Sequence, residues 1–457
     1  MFEKIAVLRL RTGACCGVLV SLACACGDED DTRRPGNVTA EVSERIATVV
    51  TVSWTTEEAS IGYVAYGVDG ELDRNTPLET EETTEHELTL FGLKSDTEYQ
   101  FRVITWDGDD AAASDVETIR TDPLPIGMPA LAQEGEGQEG LIIAPVLGNT
   151  TAVTVIDPGG DIVWYHTDAR DLDFYRARLS LDGESLIYNA ASVSGDPSED
   201  SELVRVALDG SESSSIAVPL LAHDFVEHPD GTLAAMVVEY RDFEDMSLRG
   251  DAIVEITPDG EMTTIWSSWD CFDPAEVQGD DIELGWTFAN ALDYDPSEQA
   301  YYLGMRNFSS IAKIDRESGA CEWVLGLYAS TFEFAAGSAR FLHQHQFELR
   351  GNRILILDND GSSGNESRVL EYELDFDAQL ATEVFSYVAE PPVYTFVLGE
   401  PTRLDGGDIF VNWSAAGQME RVTADGESIW KLSTRAGLVF GFHTLAESLY
   451  SPDAQNP

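Results

Sequence analysis

Two turn patterns, each occurring six times and alternating with one another, constrain this chain more than any other feature. The first is an apolar residue and an aspartate leading through a turn into a strand, often one with tryptophan. It appears as Ile156-Asp157-Pro158-Gly159-Gly160 before Val163-Trp164, Leu208-Asp209-Gly210, Pro258-Asp259-Gly260 before Ile265-Trp266, Ile314-Asp315 through Gly319 to Trp323, Leu374-Asp375 through Ala378, and Ala424-Asp425-Gly426 before Ile429-Trp430. The second falls between these, at Leu181-Asp182-Gly183, Pro229-Asp230-Gly231, Asp295-Pro296-Ser297, Arg350-Gly351-Asn352 and Leu404-Asp405-Gly406, with Gly140 to Pro145 opening the set. One period covers roughly fifty to sixty residues, room for four short strands, which is the size of a propeller blade. Such a unit cannot bury its apolar face alone, so six of them predict a ring: a six-bladed β-propeller over residues 135–457.

Ahead of the repeats the strand pattern differs. Val50, Val52 and Trp54 share one face, Leu88 and Leu90 another, and Tyr99, Phe101 and Val103 a third. The run Leu93-Lys94-Ser95-Asp96-Thr97-Glu98-Tyr99 puts a tyrosine just after a turn, as in the tyrosine corner of sandwich domains. Residues 38–123 are therefore expected to form a small fibronectin type III-like β-sandwich, and no long amphipathic helical run interrupts the chain, so the fold class is all-β. Residues 27–37 are an acidic linker.

At the start, Lys4, Arg9 and Arg11 precede an apolar stretch from Thr12 to Ala25, the pattern of a signal peptide over residues 1–26. The run Leu22-Ala23-Cys24-Ala25-Cys26-Gly27 before acidic sequence resembles a bacterial lipobox, with Cys26 or Cys24 as the lipidated residue. The expected location is the periplasm or cell surface of a bacterium, with membrane contact only through that anchor. Two cysteines remain for the body, Cys271 and Cys321, and in an oxidising compartment they are a disulfide candidate.

The chain carries 83 Asp and Glu against 27 Lys and Arg, a formal charge of −56, which argues against nucleic acid as a partner. An anionic ligand would need local arginines to overcome that field. No glycine-rich phosphate loop, nucleophile elbow or His/Cys metal spacing is present.

In a propeller the innermost strand of each blade lines the channel, and residues where it begins converge on the axis. These are Tyr175 to Arg178, His223, Asn290, His345 and Glu400, with His443 in the closing strand. His223 is followed two residues on by Phe225, His345 by Phe347 and His443 by Leu445, placing polar and apolar residues on one strand face. Arg306 and Arg368 join the set from second strands, each offering a planar fork of donors to a sulfuryl or phosphoryl group. His343 stays open; His86, His166 and His228 fall outside and are expected at the surface or in turns.

The order of Trp286-x-x-Ala289-Asn290, Met305-Arg306 through Ile314-Asp315 to Trp323-Val324-Leu325-Gly326, Gln344-His345, Leu357-Asp358-Asn359 and Ser367-Arg368-x-x-Glu371-Tyr372 resembles the bacterial aryl-sulfate sulfotransferases. That resemblance implies a propeller with a small β domain in front, and transfer of a sulfuryl group from a phenolic sulfate donor to a phenolic acceptor through a sulfated histidine. It implies no cofactor and no nucleotide sulfate. By position, His345 and Arg368 would contact the sulfuryl group, with Arg306, Asn290, Asn359 and Phe288 binding substrate. Two departures stand out: Phe288 fills a place where the family has histidine, and no histidine lies between Arg368 and His443. The nucleophile is then His443 or His223. The competing expectation is a propeller of the same ancestry that binds an aromatic or sulfated ligand, or a protein partner, without turnover.

Overall fold

The computed structural model describes residues 34–451 apart from 108–109, 149, 169, 171, 192–197, 278–284, 362–365 and 435–437. The leader, with Cys24 and Cys26, lies outside the described residues.

The front domain is built round one 18-residue strand, Val50–Gly67. Its first half pairs with Gly36–Val42 and Thr83–Leu90, its second half with Glu98–Asp107, and the register shifts between Thr55 and Ser60, where the strand passes from one sheet to the other. The alternating residues Val50, Val52, Trp54, Tyr99, Phe101 and Val103 fill the space between the sheets. The tyrosine corner is present: the Lys94 N–H donates to the Tyr99 hydroxyl at 2.8 Å.

From Leu131 onward the strands make six sheets arranged as blades, antiparallel except where the short strand Glu333–Phe334 pairs parallel with the outer strand Leu380–Tyr387. Blade 2, from the axis outward, is Asp173–Leu179, Ser185–Ala191, Glu202–Ala207 and Ser213–Ala217. Blade 3 is Leu221–Glu227, Leu233–Phe243, Met246–Ile256 and Met262–Ser267, and blade 4 is Ala289–Asp295, Ala300–Met305, Ser310–Asp315 and Cys321–Gly326. Blade 5 is Phe347–Arg350, Arg353–Asp358, Arg368–Asp375 and Leu380–Tyr387. All six aspartate turns of the first set join a third strand to a fourth, and five of the second set join innermost strands to their neighbours, while Gly140 to Pro145 runs into the second strand of blade 1.

The ring closes twice. Blade 6, Glu400–Arg403, Ile409–Asn412, Gln418–Val422 and Ser428–Thr434, receives Leu131–Gly135 on its outer edge. Blade 1, Leu141–Leu147, Ala152–Ile156 and Ile162–Thr167, receives Val439–Phe440 and Thr444–Ala446 on its inner edge. The propeller thus begins at Leu131 rather than at 135; that strand belongs to the last blade, so no repeat beside it in the sequence reveals it.

The two domains share a core. Ile46, Ala47 and Val49 pack with Ile162, Val163 and Trp164, the Ala47 N–H donates to the Tyr165 hydroxyl at 3.0 Å, and the Thr48 hydroxyl donates to the Val163 carbonyl at 2.8 Å. On the other side the Tyr450 hydroxyl donates to the Thr89 carbonyl at 3.1 Å and accepts from the Phe91 N–H at 3.1 Å.

Blades are stapled to one another by asparagines at the ends of second strands. Asn189 Nδ2 donates to the Ala222 and His223 carbonyls at 3.0 Å, and Asn359 Nδ2 to the Thr395 carbonyl at 2.8 Å and the Leu398 carbonyl at 3.0 Å. Asn412 Nδ2 donates to the Gly441 carbonyl at 2.7 Å. Each amide satisfies backbone that would otherwise be buried without a partner where the next innermost strand begins. Just before four of those strands stand non-glycine residues with left-handed backbone: Leu220, Phe288, His343 and Leu398, at φ 60, 50, 51 and 56°.

His86, expected at the surface or in a turn, is buried on the strand Thr83–Leu90, whereas His228 does open a turn, its carbonyl accepting from the Gly231 N–H at 2.9 Å, but with its ring buried. His86 stacks on Trp54 at 4.7 Å and bonds Glu79 at 2.8 Å, and His228 stacks on Tyr294 at 4.1 Å and meets the Tyr301 hydroxyl at 3.0 Å. Aromatic partners distant in sequence supply the shelter that the local pattern does not reveal. His166 is half-buried beside Trp164 and Tyr188. Cys271, closing the short helix Ser268–Cys271, faces Cys321 on the outer strand of blade 4 with Cα atoms 6.4 Å apart, a separation a disulfide spans.

Candidate functional site

The middle of the channel is filled by an ionic plug. Arg176, only 1% exposed, donates from Nε to Asp224 at 3.0 Å, from Nη1 and Nη2 to Glu400 at 2.9 and 3.0 Å, and from Nη1 to the His443 carbonyl at 2.6 Å. Asp224 also accepts from Gln346 Nε2 at 2.6 Å and from Arg178 Nη2 at 3.3 Å. Burial works against the ionised form of Asp224; the charges of Arg176 and Arg178 overcome it and leave its pKa below the usual carboxylate range. One guanidinium thereby ties blades 2, 3 and 6 to the closing strand of blade 1. This is a structural knot, not an open site.

On the side where the innermost strands begin, a second cluster gathers. The His223 ring lies 5.0 Å from Tyr175 and 5.7 Å from Phe288, and the Arg249 and Arg306 guanidiniums stand 4.5 and 5.9 Å from the Phe288 ring. His345 is 2% exposed, and its ring lies 6.5 Å from Phe442. Its Nδ1 meets Asn359 Oδ1 at 2.8 Å. The two carbonyls held by Asn359 Nδ2 fix which end of that amide faces the ring. An amide oxygen only accepts, so His345 Nδ1 carries the hydrogen and, in the neutral ring, Nε2 carries the lone pair.

That ring is neutral. Burial, with smaller contributions from His223 and Arg306, lowers the His345 pKa to about 3 despite the Asn359 bond, and burial with Arg249 and Arg306 lowers that of His223 to about 4. His223 Nδ1 has no hydrogen-bond partner among the described residues. The mouth therefore offers two unprotonated imidazoles beside two guanidiniums, in a chain of net charge −56. Chemically this is a place for an anion next to a nitrogen nucleophile.

The remaining sequence-named residues separate. Asn359 and Phe288 belong to the cluster, as do Arg306, His223 and His345. His443 does not: its ring packs on Phe410 at 4.8 Å, with Nε2 3.0 Å from the Thr402 hydroxyl and Nδ1 3.3 Å from Glu400, and burial lowers its pKa to about 4. It braces the joint of blades 6 and 1. Arg368, expected on a second strand, opens the third strand of blade 5 and is held by Asp358, Nε to Oδ2 at 2.7 Å, and by the Arg340 carbonyl at 3.1 Å, an ion pair beside the strand end that Asn359 follows. Asn290 is an inter-blade staple, donating to the Gln344 carbonyl at 2.7 Å. His343 bonds Asp360, which also accepts from the Tyr394 hydroxyl at 3.1 Å. Among the described residues no group of three His, Cys, Asp or Glu is placed to hold a metal.

Residues 131–433, most of the chain, match the arylsulfotransferase (ASST) family. The chain belongs to the arylsulfotransferase family. Residues 35–121 of this arylsulfotransferase-family protein match a second family, the N-terminal domain of purple acid phosphatases. No curated protein matches significantly. Among solved structures, a protein of unknown function from Bacteroides caccae is 12% identical over 65% of this chain and 94% of its own, with a TM-score of 0.41. A streptogramin B lyase is 12% identical over 67% of this chain and 98% of its own, with a TM-score of 0.38.

Within this arylsulfotransferase-family site, sequence reasoning missed Arg249 and the role of Arg176. Arg249 lies on the third strand of blade 3, in a hairpin of two 11-residue strands longer than its counterparts, Leu233–Phe243 and Met246–Ile256. That excess length was the available signal. The repeated asparagine at the end of second strands, in Tyr188-Asn189, Asp358-Asn359 and Val411-Asn412, was another.

Proposed function

We propose that this arylsulfotransferase-family protein moves a sulfuryl group from a phenolic sulfate ester to a phenol, with His345 as the residue that takes the group. The observation that carries the reading is His345 itself: neutral, its Nδ1 hydrogen pinned by Asn359, its Nε2 lone pair left for attack, beside Arg306 and His223. Nε2 would attack sulfur as the bond from sulfur to the phenolic oxygen breaks, and the donor leaves as phenolate. Arg306 then stabilises the charge spread over the sulfuryl oxygens. In the second half the acceptor phenol gives its proton to His223 and its oxygen attacks sulfur, restoring His345. This shifts the nucleophile from His443 or His223, the sequence-based candidates, because His443 is occupied within the blade joint.

Incubating purified protein with a chromogenic phenyl sulfate and a phenol tests the reading. Phenolate release, with an acid-labile adduct mapping to His345 when acceptor is withheld, is expected, and both should vanish in His345→Asn. Phe288 in place of a family histidine favours a second reading, a site that binds aromatic anions without transfer. Saturable binding with neither release nor adduct would establish that one.

The leader pattern supports export and anchoring through Cys26, with the Cys271–Cys321 bond formed in the oxidising compartment beyond. Loss of membrane association in Cys26→Ser is the corresponding test.

A further inference from the structure

Phe288 is held by an unusual amount of backbone. The Trp286 N–H donates to the Arg249 carbonyl at 2.7 Å, the Arg306 N–H to the Phe288 carbonyl at 3.0 Å, and the Asn307 N–H to the Thr287 carbonyl at 3.1 Å. Asn307 Nδ2 donates to the Gly285 carbonyl at 2.6 Å, and Asp251 Oδ2 accepts from the Ala289 N–H at 2.8 Å. These bonds keep Phe288 at φ 50°, a backbone that costs a bulky residue energy and persists only where its surroundings over-determine it. Gly285 makes the room: at φ 146°, a Cβ there would stand 3.0 Å from Arg249 Cδ and 3.3 Å from Phe288 Cδ2. The outcome is one aromatic ring with the Arg249 guanidinium at 4.5 Å, Arg306 at 5.9 Å and the His223 ring at 5.7 Å.

We propose that Arg249, seated on the ring of Phe288, is a second anion-binding residue that contacts the sulfuryl oxygens together with Arg306, and so replaces the donor lost where Phe288 stands for a histidine. The proposal rests on the sulfuryl-transfer reading of this site. An imidazole offers one or two N–H groups and is cationic only when protonated, whereas a guanidinium keeps its charge at every working pH and offers a planar fork. The ring quadrupole attracts the cation and fixes its orientation before substrate arrives. At 8% exposure Arg249 acts where water screens little. The charges of Arg249 and Arg306 both act on His223, while the Asp251 carboxylate, on the same strand as Arg249, faces that guanidinium in turn.

The test titrates inorganic sulfate and phenyl sulfate calorimetrically into wild type, Arg249→Gln, Arg249→Lys and Phe288→Leu, alongside KM and kcat for phenyl sulfate. Arg249→Gln should weaken both anions about 10- to 100-fold, the range of a charge-assisted hydrogen bond, with KM rising in step. Arg249→Lys should recover part of the loss, because charge returns without the fork. Wild-type affinity should stay flat from about pH 5.5 to 8.5, as an arginine site requires. Arg249→Gln that binds sulfate as wild type does, or a wild type that binds neither anion, overturns the proposal. Should Arg249→Gln not fold, wild-type binding in both other variants does the same. Loss of sulfate binding in Arg249→Gln alongside a wild type without turnover would remove the transfer reading and leave the anion site standing.

Discussion

Replacing Arg176 by methionine keeps the stem and removes the charge from the centre of the ring. What is left behind determines the cost. Asp224, fully buried, keeps Gln346 at 2.6 Å and Arg178 at 3.3 Å, and Glu400 keeps the His443 N–H at 2.8 Å, but the cation between the two carboxylates is gone. Removing one partner of a buried ionic network costs about 3–5 kcal/mol, a large part of the roughly 5–15 kcal/mol that holds a folded domain together. Urea unfolding followed by tryptophan fluorescence should show that loss at pH 7. The pH dependence gives a second reading of the same cause. Asp224 has a depressed folded pKa, so its contribution is present above the unfolded value near 3.9 and is lost as pH falls through the folded one. Without Arg176 that depression goes, the folded carboxylate takes up a proton more readily, and the gap between wild type and Arg176→Met should narrow as pH falls from about 7 to 4. Replacing the network as a whole, in Arg176→Met/Asp224→Leu/Glu400→Leu, should recover much of the loss, since apolar substitutes need no counter-charge. A loss below about 1 kcal/mol at pH 7, or a gap that widens toward acid, refutes the reasoning.

Asn359→Leu removes the acceptor that fixes the His345 tautomer and should lower kcat about 10²- to 10⁴-fold, whereas Asn359→Asp keeps an acceptor and should retain activity with its acid limb moved to higher pH. In wild type the limb from His345 should lie below about pH 5, following its pKa of about 3; a limb at the ordinary histidine value would contradict the buried neutral ring. Cys271→Ser/Cys321→Ser should lose about 2–4 kcal/mol of unfolding free energy, read from denaturation with and without reductant, because the bond closes a separation of 50 residues. No difference on reduction would show the two thiols to be unpaired.

The blades were legible because their turns are local: aspartate and glycine act on their own four residues, and six copies announce six turns. Half of the mouth was legible for a related reason, since His223 and His345 hold equivalent places where an innermost strand begins. His443 holds such a place too, yet its neighbours Thr402 and Glu400 come from blade 6 and take up its ring. The function of Arg176 depends on Asp224 and Glu400, 48 and 224 positions away, and no local pattern connects them. Arg249 was beyond reach because it enters from the extended part of the long blade 3 hairpin, Leu233–Phe243 and Met246–Ile256, which has no counterpart in the other repeats to align it with. Arg368 shows the reverse error: a guanidinium of the right type whose charge is consumed by Asp358, its direct partner across the strand pair.

The inner-edge closure of blade 1 has a consequence in time. The segment that completes it, Val439–Phe440 through Thr444–Ala446, also supplies the His443 carbonyl to Arg176 and the Phe442 ring, which lies 4.8 Å from that guanidinium and 6.5 Å from His345. Ring and mouth are therefore completed together by one segment that follows the six blades in sequence, and a chain in which that segment has not docked has strands and blades but no assembled chemistry.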